Sequence, residues 1–122
     1  MAKGPVRVVV VDDSVEIREL LGTLLGLDGR FELVGEAGNG KDGVELVAEL
    51  QPDVVLLDMV MPVLTGMEAL PELRSRAPRS KVVMFCSAEE DLEARTLAEG
   101  ASAFRQKGSD LDELVDLLAQ LG

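Results

Sequence analysis

Five polar side chains stand where short apolar runs end. Asp12 and Asp13 follow Val6–Val11, Asp58 follows Val54–Leu57, Ser87 follows Lys81–Cys86, and Lys107 lies two residues past a run over 101–105. Each run is too short for an independent helix and too apolar for a loop, so each reads as a buried strand. In an open α/β sheet, ligands bind outside the carboxyl ends of the strands, and the first and third strands flank the point where the winding reverses. The three acids therefore converge on one rim. Carboxylates that close together repel unless protonated or bridged by a cation, and an oxygen-only ligand set suits a hard ion such as Mg2+. With that ion and Lys107 in place, the rim changes from repelling phosphate to accepting it. Taken alone, Asp58 has a simpler reading, a cap on the turn after its strand.

The elements that must hold these groups follow from periodicity. Ser14 is placed to cap a first helix whose stripe is Ile17, Leu20, Leu21, Leu24 and Leu25, with Asp28-Gly29 as its exit. Phe31–Ala37 reads as the second strand. Val44, Val47, Ala48 and Leu50 mark a second helix, which Pro52 ends. Residues 65–75 carry Met67, Leu70 and Leu73 on a helical period; if that helix begins at Gly66, Pro71 removes the bond to the Met67 carbonyl and kinks or delays it. A fourth helix is expected over 89–99, closed by Gly100. The last starts at Ser109, with Asp112 approximating a capping box and Leu111, Leu114, Val115, Leu118 and Leu121 on one face. Five strands alternating with five helices predict a parallel sheet covered on both faces, in a single domain over 1–122.

Composition narrows the functional classes. The 122 residues carry 23 acids against 12 bases, a formal net charge of −11, so direct nucleic-acid binding by this segment is disfavoured. There is no His, which removes the usual zinc sites and His-based catalysis. Cys86 has no second cysteine to pair with and reads as a buried core thiol. No apolar run is long enough to span a bilayer and no signal-peptide pattern precedes the first strand, which suggests a cytoplasmic protein without a membrane partner.

The ordered set Val10-Val11-Asp12-Asp13-Ser14, Asp53 to Asp58 followed by Met59-Val60-Met61-Pro62 and Gly66, Ser87-Ala88, and Phe104 with Lys107 resembles response-regulator receiver domains over essentially the whole chain. The resemblance implies a flavodoxin-like (βα)5 fold with strand order 2-1-3-4-5. It implies phosphoryl transfer to Asp58 from a sensor histidine kinase or a histidine phosphotransfer protein of a two-component system. Asp13, Asp58 and the Val60 carbonyl resemble the direct Mg2+ ligands, and Asp12 the acid that holds a metal-bound water. Lys107 and Ser87 resemble the groups that meet the phosphoryl oxygens. Ser87 and Phe104 resemble the switch pair that changes conformation to control a partner or output domain, with a phosphorylation-dependent dimer as one outcome. Such a domain is a signalling receiver that catalyses its own phosphorylation and dephosphorylation.

Departures from the family pattern carry their own expectations. Lys107 is followed by Gly108 where many receivers have Pro, so a cis bond there is not expected. The last helix bears Asp110, Asp112, Glu113 and Asp116 without Lys or Arg, against the charge-swapped dimer of one large branch. The Val34 to Ala37 stretch is closer to the branch fused to helix-turn-helix outputs. Gly38-Asn39-Gly40-Lys41-Asp42-Gly43 satisfies G-x-G-x-x-G, with Asp58 as the distal acid of a dinucleotide site. Glu36 and Asp42 flank that loop, and it follows the second strand instead of the first. An aspartyl phosphatase would need an acid where Val60 stands. An inert adaptor receiver would have lost one of Asp13, Asp58 or Lys107, and all three are present.

Overall fold

The structure is a computed structural model that describes residues 4–87 and 91–122. The elements in order are β1 (Val6–Val11), α1 (Val15–Leu27), β2 (Phe31–Ala37), α2 (Gly40–Leu50), β3 (Val54–Leu57), α3 (Gly66–Arg76), β4 (Lys81–Cys86), α4 (Asp91–Ala98), β5 (Ala103–Gln106) and α5 (Leu111–Leu121). All four pairings are parallel, in the expected order 2-1-3-4-5. β1 and β3 are buried along nearly their whole length, which is why both are runs of Val and Leu without alternation, broken only by the half-buried Arg7.

The two faces of the sheet make two aliphatic cores. Val9, Val11, Val55, Leu57 and Met84 meet α2 and α3 through Val44, Val47, Leu70 and Leu73. Val8, Val10, Leu56, Val83 and Phe85 meet α1 and α5 through Leu21, Leu25, Leu114, Val115 and Leu118. The α1 stripe is narrower than its periodicity suggests: Leu21 and Leu25 are buried, but Leu20 is exposed, because only the i, i+4 row faces the sheet. Among the described residues, no helix is long and apolar enough to cross a membrane.

The pairing of β1 with β2 has one irregularity. The β1–β2 register runs Val8 to Leu33 and then Val9 to Gly35, so Val34 is an extra residue, a β-bulge. Val34 packs on the α2 side, and a Cβ on Gly35 would meet Leu46 and Leu50 of α2 at 2.9 and 3.1 Å. Two consecutive residues thus face α2. The parity of β2 is reversed beyond them, and Glu36 falls on the α1 side.

Helix ends correct several expectations. α5 is capped by Asp110, whose carboxylate accepts from the Asp112 N–H; Ser109 instead donates its hydroxyl to the Gln106 carbonyl, so no capping box forms there. The capping box lies at α3, where Thr65 and Glu68 satisfy each other's backbone N–H groups. α3 does begin at Gly66 and continues through the exposed Pro71. β5 starts at Ala103, not 101, because the Ala101 N–H turns back to the Thr96 carbonyl and the Gly100 N–H to Leu97, closing α4 with Gly100 at φ +110°. The expected helix start at Glu89 and the Cys86 side chain lie outside the described residues.

Candidate functional site

The loop after β1 is fixed at every polar atom of Asp12. Its N–H extends the sheet to the Ala37 carbonyl (3.0 Å), its Oδ1 accepts from the Ser14 N–H (2.9 Å), and its carbonyl accepts from Arg18 Nη1 (2.6 Å). Its Oδ2 lies 2.8 Å from Lys107 Nζ. Ser14 then caps α1 by accepting from the Ile17 N–H. Asp58 extends β3 by one bond, N–H to the Val11 carbonyl at 2.9 Å, so the two acid loops are laced side by side.

The segment after Asp58 is shaped by a glycine and a strained turn. A Cβ on Gly66 would lie 2.2 Å from the Asp58 carbonyl oxygen, so only glycine lets the first turn of α3 approach the backbone of that residue. Between them the Leu64 N–H closes a three-residue turn onto the Pro62 carbonyl (2.8 Å), with Val63 at φ +71°. A β-branched residue there costs on the order of 1–3 kcal/mol.

Asp12, Asp13 and Asp58 each offer an oxygen, all within 4.8 Å of one another. Asp12 and Asp58 are buried, while Asp13 is exposed and, among the described residues, has no hydrogen-bond or ion-pair partner. Lys107 sits 3.5 Å from Asp58 Oδ1, so one ammonium serves two buried acids. The donor set is hard and anionic, with an open ligand in Asp13, and it fits Mg2+ or a similar ion.

Burial, and next the charge of Asp12, push the Asp58 carboxyl up to about 6, against the pull of Lys107 and of a hydrogen bond from the Val60 N–H. Burial would lower the Lys107 ammonium, but the hydrogen bond and charge of Asp12, with the charge of Asp58, outweigh it and raise it above the ordinary lysine value. The Asp58 shift makes a stability prediction for the metal-free protein. Between pH 3.8 and about 6 the folded state holds a proton on Asp58 that the unfolded chain releases, so stability contributed by this group is lost as pH rises through that window. Asp58→Asn is expected to match the parent at pH 4 and to exceed it by roughly 1–3 kcal/mol at pH 7 without metal, read by urea unfolding at both pH values. An equal gain at both would refute the assignment of the strain to Asp58.

The expected acids and Lys107 thus come together. Ser87 stands at the carboxyl end of β4 with an exposed side chain, and no hydrogen bond among the described residues joins it to Asp58. Phe104 is buried in β5 among the residues facing α2 and α3. Val60 points its side chain outward at 71% exposure. Gly108 has φ +95° and no described peptide bond is cis. The G-x-G-x-x-G spacing has a packing origin: a Cβ on Gly40 would lie 2.0 Å from the Leu64 carbonyl oxygen, and one on Gly43 2.6 Å from Val11. Arg18 and Glu36, joined at 3.2 Å, are the polar residues at this rim that periodicity does not pick out.

Comparison with known proteins places this geometry. Residues 8–119 match the family described as the response regulator receiver domain. A protein-glutamate methylesterase/protein-glutamine glutaminase of Symbiobacterium thermophilum is 46% identical over 86% of this chain, and the response regulator GacA of Pseudomonas aeruginosa 37% identical over 95%. The chain spans 30% and 55% of those proteins, so it corresponds to a part of each. Among solved structures, the response regulator domain of Thermotoga maritima CheB superposes with a TM-score of 0.90 at 32% identity, covering 96% of both chains. CheY in a CheX–CheY–BeF3–Mg complex from Borrelia burgdorferi gives 0.90 at 26% identity over 97% of this chain and 90% of that one.

Proposed function

The chain belongs to the response regulator receiver domain family of two-component signalling, and from that membership we propose that residues 1–122 form one receiver unit whose phosphoryl acceptor is Asp58. The observation that carries this assignment is the juxtaposition of Asp12, Asp13 and Asp58 within 4.8 Å with Lys107 at their edge. Asp13, Asp58 and the Val60 carbonyl would hold Mg2+, with Asp12 receiving a metal-bound water. The ion, when bound, neutralises the acids and the incoming phosphoryl oxygens.

The remaining chemistry belongs to the chain. An Asp58 carboxylate oxygen attacks the phosphorus of a phosphohistidine on a kinase or phosphotransfer protein; the new O–P bond forms as the N–P bond breaks, and the departing imidazole takes a proton from solvent. Lys107 meets a phosphoryl oxygen once the acids release it, and the Ser87 hydroxyl donates to another. Catalysis of this kind is mostly positioning and charge neutralisation. Movement of Ser87 toward the phosphate would leave space for Phe104, so packing alone would separate its two positions. Mg2+ with a small-molecule phosphodonor should add one phosphoryl group by intact mass, mapped to Asp58 and missing in Asp58→Asn. An adduct retained in that variant overturns the assignment.

The lifetime of the phosphoaspartate is expected to depend on Val60, two residues beyond the acceptor. Valine cannot orient an attacking water, whereas an amide there can. Val60→Asn should therefore dephosphorylate several-fold faster, about 1 kcal/mol of barrier, when decay is followed after donor removal at constant Mg2+. Glu89, two residues past Ser87, is the other polar group expected from the sequence to recruit water there, and it lies outside the described residues. Equal rates, or a slower variant, would remove Val60 from this role.

A further inference from the structure

We infer that Arg18 is a positioning residue for the metal site, holding the Asp12–Asp13 peptide so that Asp13 projects into it, and that Glu36 holds Arg18. The inference rests on the metal reading proposed above. The carbonyl that Arg18 grips at 2.6 Å belongs to the peptide that joins Asp12 to Asp13. The orientation of that peptide plane sets where the Asp13 Cα, and hence its carboxylate, is placed. Asp12 has three further bonds to hold it, but Asp13 has no side-chain partner among the described residues. Its direction is therefore set by its backbone, and Arg18 is the side chain that fixes the peptide leading into it.

The surroundings are built for this contact. Arg18 lies on α1 with its side chain 18% exposed, and its Nε donates to Glu36 Oε1 at 3.2 Å. Glu36 reaches the α1 side only because of the bulge at Val34; an unbroken alternation along β2 would have turned it toward α2. Gly38 leaves the guanidinium its room, since a Cβ there would come within 3.2 Å of Arg18 Nη1. A half-exposed ion pair adds little stability by itself. What the pair supplies is geometry: with Nε engaged by Glu36, Nη1 is aimed at the Asp12 carbonyl.

Positioning and charge make opposite forecasts for Mg2+ affinity. If Arg18 acted only as a nearby cation, its removal would tighten binding, as removal of Lys107 should. Positioning predicts weakening, by about tenfold, in the range found for groups that orient metal ligands without touching the metal. The probe is Mg2+ titrated against backbone amide shifts, with metal-free thermal unfolding recorded for each variant. Arg18→Ala and Glu36→Ala should both weaken binding, and the double variant should be no worse than Arg18→Ala alone. Arg18→Lys, which keeps the charge but reaches a single partner, should fall between parent and Arg18→Ala. Unchanged or tighter binding in Arg18→Ala and Arg18→Lys, with the parent binding normally and Asp13→Ala not binding, overturns this inference alone. A parent that binds no Mg2+, or an Asp13→Ala variant that binds as well as the parent, overturns the metal reading and this inference with it. If Arg18→Ala does not fold, Glu36→Ala and Arg18→Lys carry the same comparison.

Discussion

Asp13→Ala should lose Mg2+ affinity by at least about 100-fold and phosphorylation with it, whereas Lys107→Ala should keep the first and slow the second. The asymmetry follows from what each side chain does before any ligand arrives. Asp13 has no hydrogen-bond or ion-pair partner among the described residues, so deleting it breaks no bond of the metal-free protein, relieves some repulsion of Asp58, and takes away a proposed metal ligand. Lys107 already lies 2.8 Å from Asp12 and 3.5 Å from Asp58, in the place of a counter-cation. Removing that ammonium leaves buried carboxylates uncompensated, which should tighten Mg2+ binding by roughly three- to tenfold, or about 1 kcal/mol. Transfer should nevertheless slow by about tenfold or more, because the cation proposed to meet the phosphoryl oxygens is lost. Calorimetric Mg2+ titration paired with the rate of phosphorylation by a small donor separates the two. Identical behaviour of the variants in the titration would show that the two residues share one role.

Gly66→Ala is expected to destabilise by about 2–4 kcal/mol and to depress phosphorylation, while Gly26→Ala should stabilise by about 0.5 kcal/mol. Both add a single methyl group. At Gly66 it would lie 2.2 Å from the Asp58 carbonyl oxygen and 2.8 Å from the Met59 Cα, and these backbone atoms have no rotamer by which to yield. Either α3 retreats or Asp58 shifts, and the N–H of residue 66 loses its 2.9 Å bond to the Met59 carbonyl. Gly26, inside α1, has nothing within 4 Å of the added carbon. There the methyl group only reduces backbone freedom in the unfolded chain. Urea unfolding of both variants tests the pair, and a neutral Gly66→Ala would mean that the loop after Asp58 accommodates without strain.

The strands and the acids were legible because each was encoded locally. Runs of Val and Leu between turn residues admit one reading, and an Asp directly after such a run has few places to go. Legibility failed where two local signals competed for one bond. Ser109 and Asp110 are both plausible caps for α5, and the choice was made by the Gln106 carbonyl, which takes the Ser109 hydroxyl. The Ala101 N–H could have opened β5, yet the close of α4 claims it. The least legible feature is the direction of Glu36. A strict period of two along β2 would turn it toward α2, and the bulge that turns it toward α1 leaves no mark in composition beyond the glycine at position 35. The partnership of Arg18 and Glu36 therefore emerges only in three dimensions. The glycine motif at 38–43 is disfavoured as a dinucleotide site by its flanking acids and its place after the second strand, and Gly40 and Gly43 answer instead to Leu64 and Val11.

The strand order also bears on which edges can close first as the chain leaves the ribosome. β1 leaves first yet ends between β2 and β3, so both its edges are closed once residue 57 has emerged. β4 and β5 can then be added only outward, one at a time, to the edge that β3 leaves open. Synthesis delivers roughly 5–20 residues per second, far slower than local chain closure. The acids at 12, 13 and 58 can therefore meet some fifty residues before Lys107 emerges to neutralise them. During that interval a dissolved divalent ion is the available counter-charge. A nascent or truncated chain ending before β5 should consequently depend more on Mg2+ for compactness than the finished protein, in which the last strand delivers an ammonium to the cluster.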